Sequence, residues 1–556
     1  MYSETIWKIK EYDTSGAQKL SKELNISPLL AALLAQRDIK NVEDGRNFLY
    51  GSFENVSDPY ILGGMQVAVE RIEKAIETGE KVIIYGDYDV DGVCSIVLLK
   101  KCLELCGGII DYYVPDRFNE GYGLTLEAIE TLATQGYSLL ITVDCGISSV
   151  DEVNRASKIG MDVIVTDHHT PAAELPPAIA IINPKLGDDK RNYDLCGTGV
   201  AYQVARAICR RRHIEDQVND FLDLVALATV ADIVPLVEDN RILVQKGLSV
   251  IRNTKRTGLK ALLKESGLEG KKINTWQIGF ILAPRLNSAG RLESARISIE
   301  LLLAKDKTKA VKLASQLCEL NNERRLIEDT IFQEAVIKVE KEINLQEDPV
   351  IVVAGDGWHQ GVIGIVASRL CDKYSRPAII ISWDGEIGRG SARSIPGINM
   401  YDLLDKCSSH LLKFGGHKMA AGLNIDRKKF EEFRAIIGTL VKDDIDGEKP
   451  GRIQFLDAEI EIDDINDNLL KELNLLQPYG EGNPAPGFII QDIIVKSPSL
   501  VGKGKEHFKA KIGKPELDLI AFKRPELIQL PLEECYHDLA FRVEENEFRE
   551  RISIQL

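Results

Sequence analysis

Three aspartates at alternate positions, Asp87, Asp89 and Asp91, follow the apolar run Val82-Ile83-Ile84-Tyr85 and are closed by Gly92. Carboxylates crowded this closely repel one another and raise their own pKa values, so the ionised set persists only around a cation. A divalent metal is the chemistry that this spacing supports. Asp-x-Asp-x-Asp-Gly also opens an EF-hand, but that loop needs a flanking helix and a glutamate at its twelfth position, near which Lys100 or Lys101 stands here. The plainer alternative is an Asp-rich turn.

Two further clusters end apolar runs in the same way. Asp144-Cys145-Gly146 follows residues 139–143, and Asp167-His168-His169 follows residues 163–166. A fourth candidate is Asp232, the single acid in the apolar stretch 224–236; burying it without a partner would cost several kcal/mol. Taken singly, these residues read as helix caps or turn residues. Taken together, the repeated placement at strand ends favours a shared site. Hard carboxylates with an imidazole suit manganese or magnesium better than zinc. Two such ions about 3.5–4 Å apart promote in-line attack of hydroxide on phosphorus, so phosphoester or phosphoanhydride hydrolysis is the expected reaction class.

The elements that must position these groups are legible as periodicities. Helical spacing over 65–78, 93–106, 125–135 and 149–159 alternates with apolar strands over 81–85, 110–114, 138–143 and 162–166. Such alternation predicts a parallel, doubly wound α/β sheet, with ligands beyond the carboxyl ends of its strands. Residues 306–342 read as a long connecting helix with a solvated charged face. A second α/β unit opens near Pro349 with strands over 350–353 and 378–382. From Arg452 onward, short alternating segments (457–462, 487–490 and 507–512) predict a small β-barrel, a plain β-domain being the alternative. Residues 1–60 show helical stretches over 17–24 and 29–36 and no legible function. The expected division is 1–60 as an N-terminal adaptor, 61–240 as the metal-bearing domain, 241–345 as a helical region with the connecting helix, 346–445 as the second domain, and 450–556 as the barrel.

Composition sets limits. With 556 residues, 44% hydrophobic and 28% charged, the chain has ordinary globular usage and room for several domains. It has no run of about 18 apolar residues and no signal-peptide pattern, so a cytoplasmic protein without membrane association is expected. Ten cysteines without a Cys-x-x-Cys pair argue against structural zinc and disulfides. A net charge of -16 disfavours nonspecific coating of nucleic acid but permits a local basic groove.

Asp87-Tyr88-Asp89-Val90-Asp91-Gly92, Asp144-Cys145-Gly146, Asp167-His168-His169 and Ala231-Asp232 resemble the four motifs of the DHH phosphoesterase superfamily. Gly415-Gly416-His417, within 413–422, resembles the signature of the DHH-associated second domain. Longer strings are similar to those of its bacterial single-strand-specific 5′ to 3′ DNA exonucleases, over residues 60–500: 85–92, Asp116 to Gly123, Pro284 to Arg291, Gly357 to Arg369 and Gln477 to Pro484. The resemblance implies two α/β domains, DHH and DHH-associated, joined by a long helix, plus a C-terminal OB-like barrel that binds nucleic acid. It implies release of 5′-mononucleotides from single-stranded DNA in repair and recombination, with two divalent ions, Mn2+ or Mg2+.

The implied metal ligands are Asp89, Asp91, Asp144, His168 and Asp232, with Asp144 and one of the first acids bridging the ions. Asp87 stands where relatives vary and is the weaker candidate. Asp89, Asp144 and His169 would be catalytic. His169 would hydrogen-bond the scissile phosphate or assist the leaving oxygen, the alternative being an orienter of Asp167. Arg393 and Ser391, read as part of an exposed Gly- and Ser-rich turn, would join Gly415, Gly416 and His417 in a pocket for the terminal phosphate. Arg117, Arg285 and Arg291, read as lying in Gly- and Pro-bounded loops, would contact substrate, and Phe118 and Tyr122 are stacking candidates. A helicase and a single-strand-binding protein are expected partners from the resemblance alone. Rival readings are a small-substrate DHH phosphodiesterase or pyrophosphatase, a scaffold that has lost its metals, and a single-strand-binding protein that uses only the barrel.

Overall fold

The computed structural model describes residues 6–117, 119–345, 347–444, 453–548 and 551–556. Strand β1 (Ile6–Ile9) leads into three short helices, α1 (Thr14–Leu24), α2 (Pro28–Ala35) and α3 (Val42–Tyr50). Side chains of Asp13, Ser27 and Asn41 cap their free amides. There follow α4 (Met65–Thr78), β2 (Lys81–Gly86), α5 (Val90–Leu105), β3 (Ile109–Tyr113), α6 (Leu126–Thr134), β4 (Leu139–Val143), α7 (Val150–Lys158), β5 (Asp162–Thr166) and β6 (Ala180–Ile182). The strands form one parallel sheet in the order β3-β2-β4-β5-β6. β2, β4 and β5 are almost wholly apolar because helices cover both faces. The chain steps from β2 to β3 on one side and returns to β4 on the other, so the order reverses between β2 and β4. Ligands bind in the crevice beyond the strand ends at such a switch point. The register aligns Gly86, Val143 and Thr166. Asp87, Asp144 and Asp167 therefore emerge side by side along one rim.

Helix α8 (Gly197–Arg211) packs against β4 and β5, and α9 (Leu222–Ala231), α10 (Glu238–Arg252) and α11 (Thr257–Glu265) extend the same core beyond it. The single turn α12 (Thr275–Gln277) runs through a π-helical turn, Ile278–Leu282, into α13 (Ala283–Leu292), followed by α14 (Arg296–Leu303). The connecting helix is α15 (Lys307–Glu342), capped by Asp306, and at 1.5 Å per residue its 36 residues span about 54 Å. Ala310, Ala314, Leu317 and Leu320 belong to the core of the first domain, whereas Ile331, Ala335, Val336 and Val339 belong to a core of the second. One helix thus sets the spacing of two domains.

The second domain comprises β7 (Ile351–Asp356), α16 (Ile363–Tyr374), β8 (Ala378–Asp384), β9 (Ile387–Arg393), α17 (Met400–Lys406), β10 (Leu411–Gly416), β11 (Ala420–Asp426) and α18 (Phe430–Asp444). Its sheet order is β10-β11-β9-β8-β7, with β7 and β8 parallel and the other pairs antiparallel. Three expectations from sequence are corrected. Ser391 and Arg393 lie in β9 rather than in an exposed turn, because Gly388 and Gly390 accommodate close packing of Trp383, Ile381 and Leu423 and do not bend the chain. Arg285 and Arg291 lie on α13 rather than in loops, Pro284 being tolerated in the first helical turn. The charges of α15 are not all solvated, since Glu328 accepts hydrogen bonds from Arg324 and from Arg369 of α16.

The C-terminal part contains β12 (Ile453–Leu456), β13 (Ala458–Glu459), α19 (Asp467–Leu475), β14 (Phe488–Ile493), β15 (Val495–Val501), β16 (His507–Ile512), β17 (Leu517–Ala521), β18 (His537–Phe541), β19 (Glu544–Phe548) and β20 (Arg551–Gln555). Apart from β12, the strands form two sheets, β13-β14-β18 and β15-β16-β17-β20-β19. Its core is shared with the N-terminal helices: Leu20, Leu30, Leu33 and Leu34 pack with Leu469, Leu473, Phe488 and Phe508, and β1 pairs in parallel with β12. Arg241 of α10 ties this body to the first domain by donating to the carbonyls of Phe48, Leu475 and Leu476. No helix of the described residues is long and apolar enough to cross a membrane.

Candidate active site

The first-strand acids are placed by the start of α5. Asp89 is its N-cap, and its Oδ1 accepts from the N–H groups of Asp91 and Gly92 at 2.8 and 3.1 Å. This cap starts the helix at Val90 rather than at the expected Val93. Gly92 is required at this turn, because a Cβ there would stand 2.3 Å from the Asp87 carbonyl oxygen. Asp91 lies in the first turn, and both its oxygens accept backbone N–H groups at the start of α8, from Gly197 at 2.6 Å and Thr198 at 2.7 Å. Gly197 permits this grip, since a Cβ there would lie 2.6 Å from Cβ of Asp144. Asp144 itself holds a left-handed conformation, φ 60°, at the end of β4.

These acids converge with His168. Its Nε2 lies 3.2 Å from Asp144 Oδ1, 3.6 Å from Asp232 Oδ2 and 3.8 Å from Asp91 Oδ2. Ligand atoms of Asp91, His168 and Asp232 lie within 4.8 Å of one another, and so do those of Asp87, Asp89 and Asp144. Asp144 stands between the two groups. Asp87, the weaker candidate from sequence, is thus grouped with Asp89 and Asp144. Asp87 Oδ1, Asp144 Oδ1 and His168 Nε2 are buried and find no hydrogen-bond partner among the described residues. A convergent set of carboxylate oxygens and one imidazole, left unsatisfied in the interior, fits two Mn2+ or Mg2+ ions.

The electrostatics agree. Burial, then the charges of Asp91, Asp89, Asp87 and Asp232, push the Asp144 carboxyl well above its ordinary range. Burial and neighbouring aspartates likewise raise Asp87 and Asp89, and they push Asp232 up to about 8. Burial lowers His168 to about 4, which keeps the ring neutral as a metal ligand requires. Without metal, the folded protein holds protons on these carboxyls that the unfolded chain releases near pH ~4. Stability of the metal-free protein should therefore fall as pH rises from ~4 toward about 8, where Asp232 ionises. Saturating Mn2+ should abolish that decline, which denaturation series in EDTA and in Mn2+ would reveal.

His169 is held differently. Its Nδ1 lies 2.7 Å from Asp167 Oδ1, which also accepts the N–H groups of His168 and His169, while Asp167 Oδ2 accepts that of Ile147. Burial alone would raise Asp167, but these bonds and the His169 charge outweigh it and hold its carboxyl low. Burial alone would lower His169, but the hydrogen bond and charge of Asp167 raise it. The Tyr122 hydroxyl lies 3.3 Å from the same Nδ1, and its ring meets the imidazole edge-on. Phe118 falls outside the described residues.

Basic groups from both sides of the domain boundary meet near this rim. Arg117 lies over the Tyr88 ring at 5.0 Å, and its charge acts on Asp87, Arg291 and Arg393. Burial, then Arg117 and other cations, lowers Arg291 to about 10; its Nη1 donates to the Gly361 carbonyl across the domain boundary. Arg393 Nη1 donates to Ser391 Oγ at 3.1 Å. A Cβ on Gly364, in the first turn of α16, would lie 3.0 Å from both Arg393 Nη2 and Ser391 Oγ, so that helix start faces the pair directly. Guanidinium, hydroxyl and helix N-terminus are each groups suited to hold an anion. His417 follows β10 and the paired Gly415 and Gly416, and it feels the charges of His169 and Lys185 of the first domain. Arg285 Nη1 donates to the Ile281 carbonyl of the preceding π-helical turn, and its Nε is buried without a hydrogen-bond partner among the described residues.

Several positioning residues are not evident from sequence. Gly197 and Thr198 are visible only as an unassigned helix start. Asn287 Oδ1 accepts the Val90 N–H, and Gly290 lets α13 approach, since a Cβ there would lie 2.4 Å from the Tyr88 carbonyl oxygen. The 477–484 string, noted only as a motif, buttresses the turn after Asp232: Leu236 N–H donates to the Glu481 carbonyl, and Gly480 and Gly482 press on Leu236 and Pro235.

Three family models match the chain: the DHH family N-terminal domain over residues 81–229, the DHHA1 domain over 347–443, and the RecJ OB domain over 456–556. The chain is 38% identical to the single-stranded-DNA-specific exonuclease RecJ of Bacillus subtilis, over 94% of this chain and 66% of that protein, slightly under two thirds of its length. It is 37% identical to the exonuclease RecJ of Dickeya dadantii, over 96% of this chain and 95% of that protein. The crystal structure of RecJ in complex with Mn2+ from Thermus thermophilus superimposes with a TM-score of 0.86 at 28% identity, covering 100% of this chain and 79% of that one. With this degree of likeness along nearly its whole length, the chain belongs to the RecJ family of the DHH phosphoesterases.

Proposed function

We propose that the protein is a metal-dependent exonuclease that removes 5′-mononucleotides from the 5′ end of single-stranded DNA, in the service of repair and recombination. The observation that carries this reading is that Arg117 and Arg291 interact both with the acids of the cluster and with Arg393 of the Ser391, Arg393 and Gly364 group, Arg291 also donating to the Gly361 carbonyl across the domain boundary. Two Mn2+ or Mg2+ ions bound at the cluster would supply an acidified water and neutralise charge on the phosphate. Asp89, Asp91, Asp144, His168 and Asp232 hold them, and Asp87 completes the set beside Asp89. Arg393, Ser391, Gly415, Gly416 and His417 grip the terminal phosphate, while Arg117 and Arg291 balance the phosphate between the two domains. His169, aligned through Nδ1 by Asp167, donates a proton from Nε2 to the departing 3′ oxygen. The bond between that oxygen and phosphorus breaks as the water oxygen joins phosphorus, giving a 5′-mononucleotide and a strand one nucleotide shorter.

A narrow cleft between the two domains that α15 joins would admit single strand and exclude duplex. Family likeness supports a helicase and a single-strand-binding protein as working partners and the cytoplasm as the location. The test is incubation with Mn2+ and 5′-phosphorylated single strands beside an Asp89→Ala variant. Mononucleotides should appear only with wild-type protein and metal, and blunt duplex should be spared. Absence of metal-dependent release would end the reading.

A further inference from the structure

Two aromatic rings stand in water on the segment between the acid cluster and the barrel. Trp276 is 56% exposed and Phe280 is 70% exposed, and they stack with centroids 5.4 Å apart and planes 28° apart. Nothing in the mechanism above uses them. The backbone beneath is well determined: Asn274 caps α12 by accepting from the N–H groups of Trp276 and Gln277, while Gln277 returns a bond to the Asn274 N–H. Phe280 sits at the centre of the π-helical turn, a rare form that recurs at functional sites. Ile278 and Leu282 of this turn are buried, so the aromatic face is the one turned to solvent.

The position of this segment identifies its occupant. Inward, Gly279 faces Val230 of α9, the helix that ends at Asp232, and Ile233 beside that acid is itself 69% exposed. Outward, the Thr275 hydroxyl donates to the Tyr479 carbonyl at 2.6 Å, and Lys272 lies 3.7 Å from Glu545 of β19. Onward, the chain continues as α13, whose Asn287 binds the Val90 N–H and whose Arg291 feels the charge of Asp89. The segment that carries Trp276 and Phe280 thus contacts α9 on the side of the metal acids and Tyr479 and Glu545 of the C-terminal part on the other. From Arg291 to Trp276 the helical rise amounts to about 22 Å, the length of roughly six stacked nucleotides at 3.4 Å each. A substrate strand running from the cluster to the C-terminal barrel would have the segment of the two rings along its way, and unpaired bases stack on exposed aromatics without regard to sequence.

We infer that Trp276 and Phe280 form a base-stacking platform for the uncleaved single strand downstream of the metal acids. The inference rests on the exonuclease reading for the direction of the strand. Its test compares wild-type protein, Trp276→Ala/Phe280→Ala and the ring-preserving Trp276→Phe/Phe280→Tyr. The probes are 5′-phosphorylated oligothymidylates of two nucleotides and of about a dozen, a length that exceeds this span. The double alanine variant should raise KM with Mn2+, and Kd in EDTA, by roughly tenfold for the longer strand. Its kcat should hold, the dinucleotide should be cleaved as before, and the ring-preserving pair should restore most of the affinity. Unchanged affinity for the longer strand would overturn the platform and leave the rings to a different occupant, such as a protein. An equal loss on the dinucleotide would also overturn it, by exposing a structural role. Should wild-type protein release no nucleotides at all, the exonuclease reading falls, while the comparison of Kd in EDTA still decides whether the rings bind single strands.

Discussion

Asp144→Asn should make the metal-free protein more stable and the enzyme inactive. The carboxylate it removes is buried, faces four other aspartates, and has an oxygen without a hydrogen-bond partner. An amide of the same shape is neutral without taking up a proton, so it removes the cost of holding this carboxyl protonated above pH ~4, and it leaves the close contact with Gly197 intact. If the relief amounts to about 1 kcal/mol, the thermal midpoint in EDTA should rise by roughly 2–4 °C. Hydrolysis should fall by at least ~10³-fold, beyond the ~10–100-fold cost of losing an outer support of a metal ligand. The upward shift of midpoint that Mn2+ gives the wild type should shrink or vanish, because binding to the folded state alone is what stabilises. Thermal scans in EDTA and in Mn2+, run beside single-turnover assays, check all three. A midpoint that falls in EDTA would show that Asp144 is a structural hydrogen-bonding residue whose charge is tolerated.

Arg393→Ala should cost the protein its preference for a phosphorylated 5′ end. Arg393 is largely enclosed, hydrogen-bonded to Ser391 Oγ and to the Ala392 carbonyl, and aimed at the start of α16. Burial lowers its pKa, a cost that a bound anion would offset. Loss of a charge-assisted bond worth ~1.5–3 kcal/mol predicts a KM for 5′-phosphorylated strands raised by roughly 10–150-fold. Strands with a 5′-hydroxyl should change little, so the two KM values converge. Arg393→Lys should restore only part of the difference, since an ammonium lacks the planar fork that fits phosphate. Equal losses on both substrates would place Arg393 in the framework of β9 instead.

The metal rim was readable because parallel strands advertise their ends. β2, β4 and β5 are apolar to their last residues and then turn abruptly acidic, and the helices between them have clear spacing. What could not be read depends on approach between distant segments. The grip of Gly197 and Thr198 on Asp91 joins parts of the chain more than a hundred residues apart. Glycine and proline near Arg285, Arg291 and Arg393 looked like chain breakers, yet Pro284 opens a helix and Gly290 makes room for the Tyr88 carbonyl. The same residue types serve turns and close packing, and only the neighbour across the gap tells them apart. Residues 1–60 were opaque for a related reason, as the partners of their apolar faces lie at the other end of the sequence.

That shared core has a consequence for biosynthesis. Leu20, Leu30, Leu33 and Leu34 leave the ribosome long before Leu469, Phe488 and Phe508 exist to cover them. At ~5–20 residues per second the delay is on the order of 20–90 s, ample for the intervening domains to fold. During that interval the nascent chain displays an uncovered leucine-rich surface, a natural docking point for a chaperone and a hazard for neighbouring chains on the same message. Completion of the barrel then acts as a clasp, joining earlier-made to later-made residues around the domains between them.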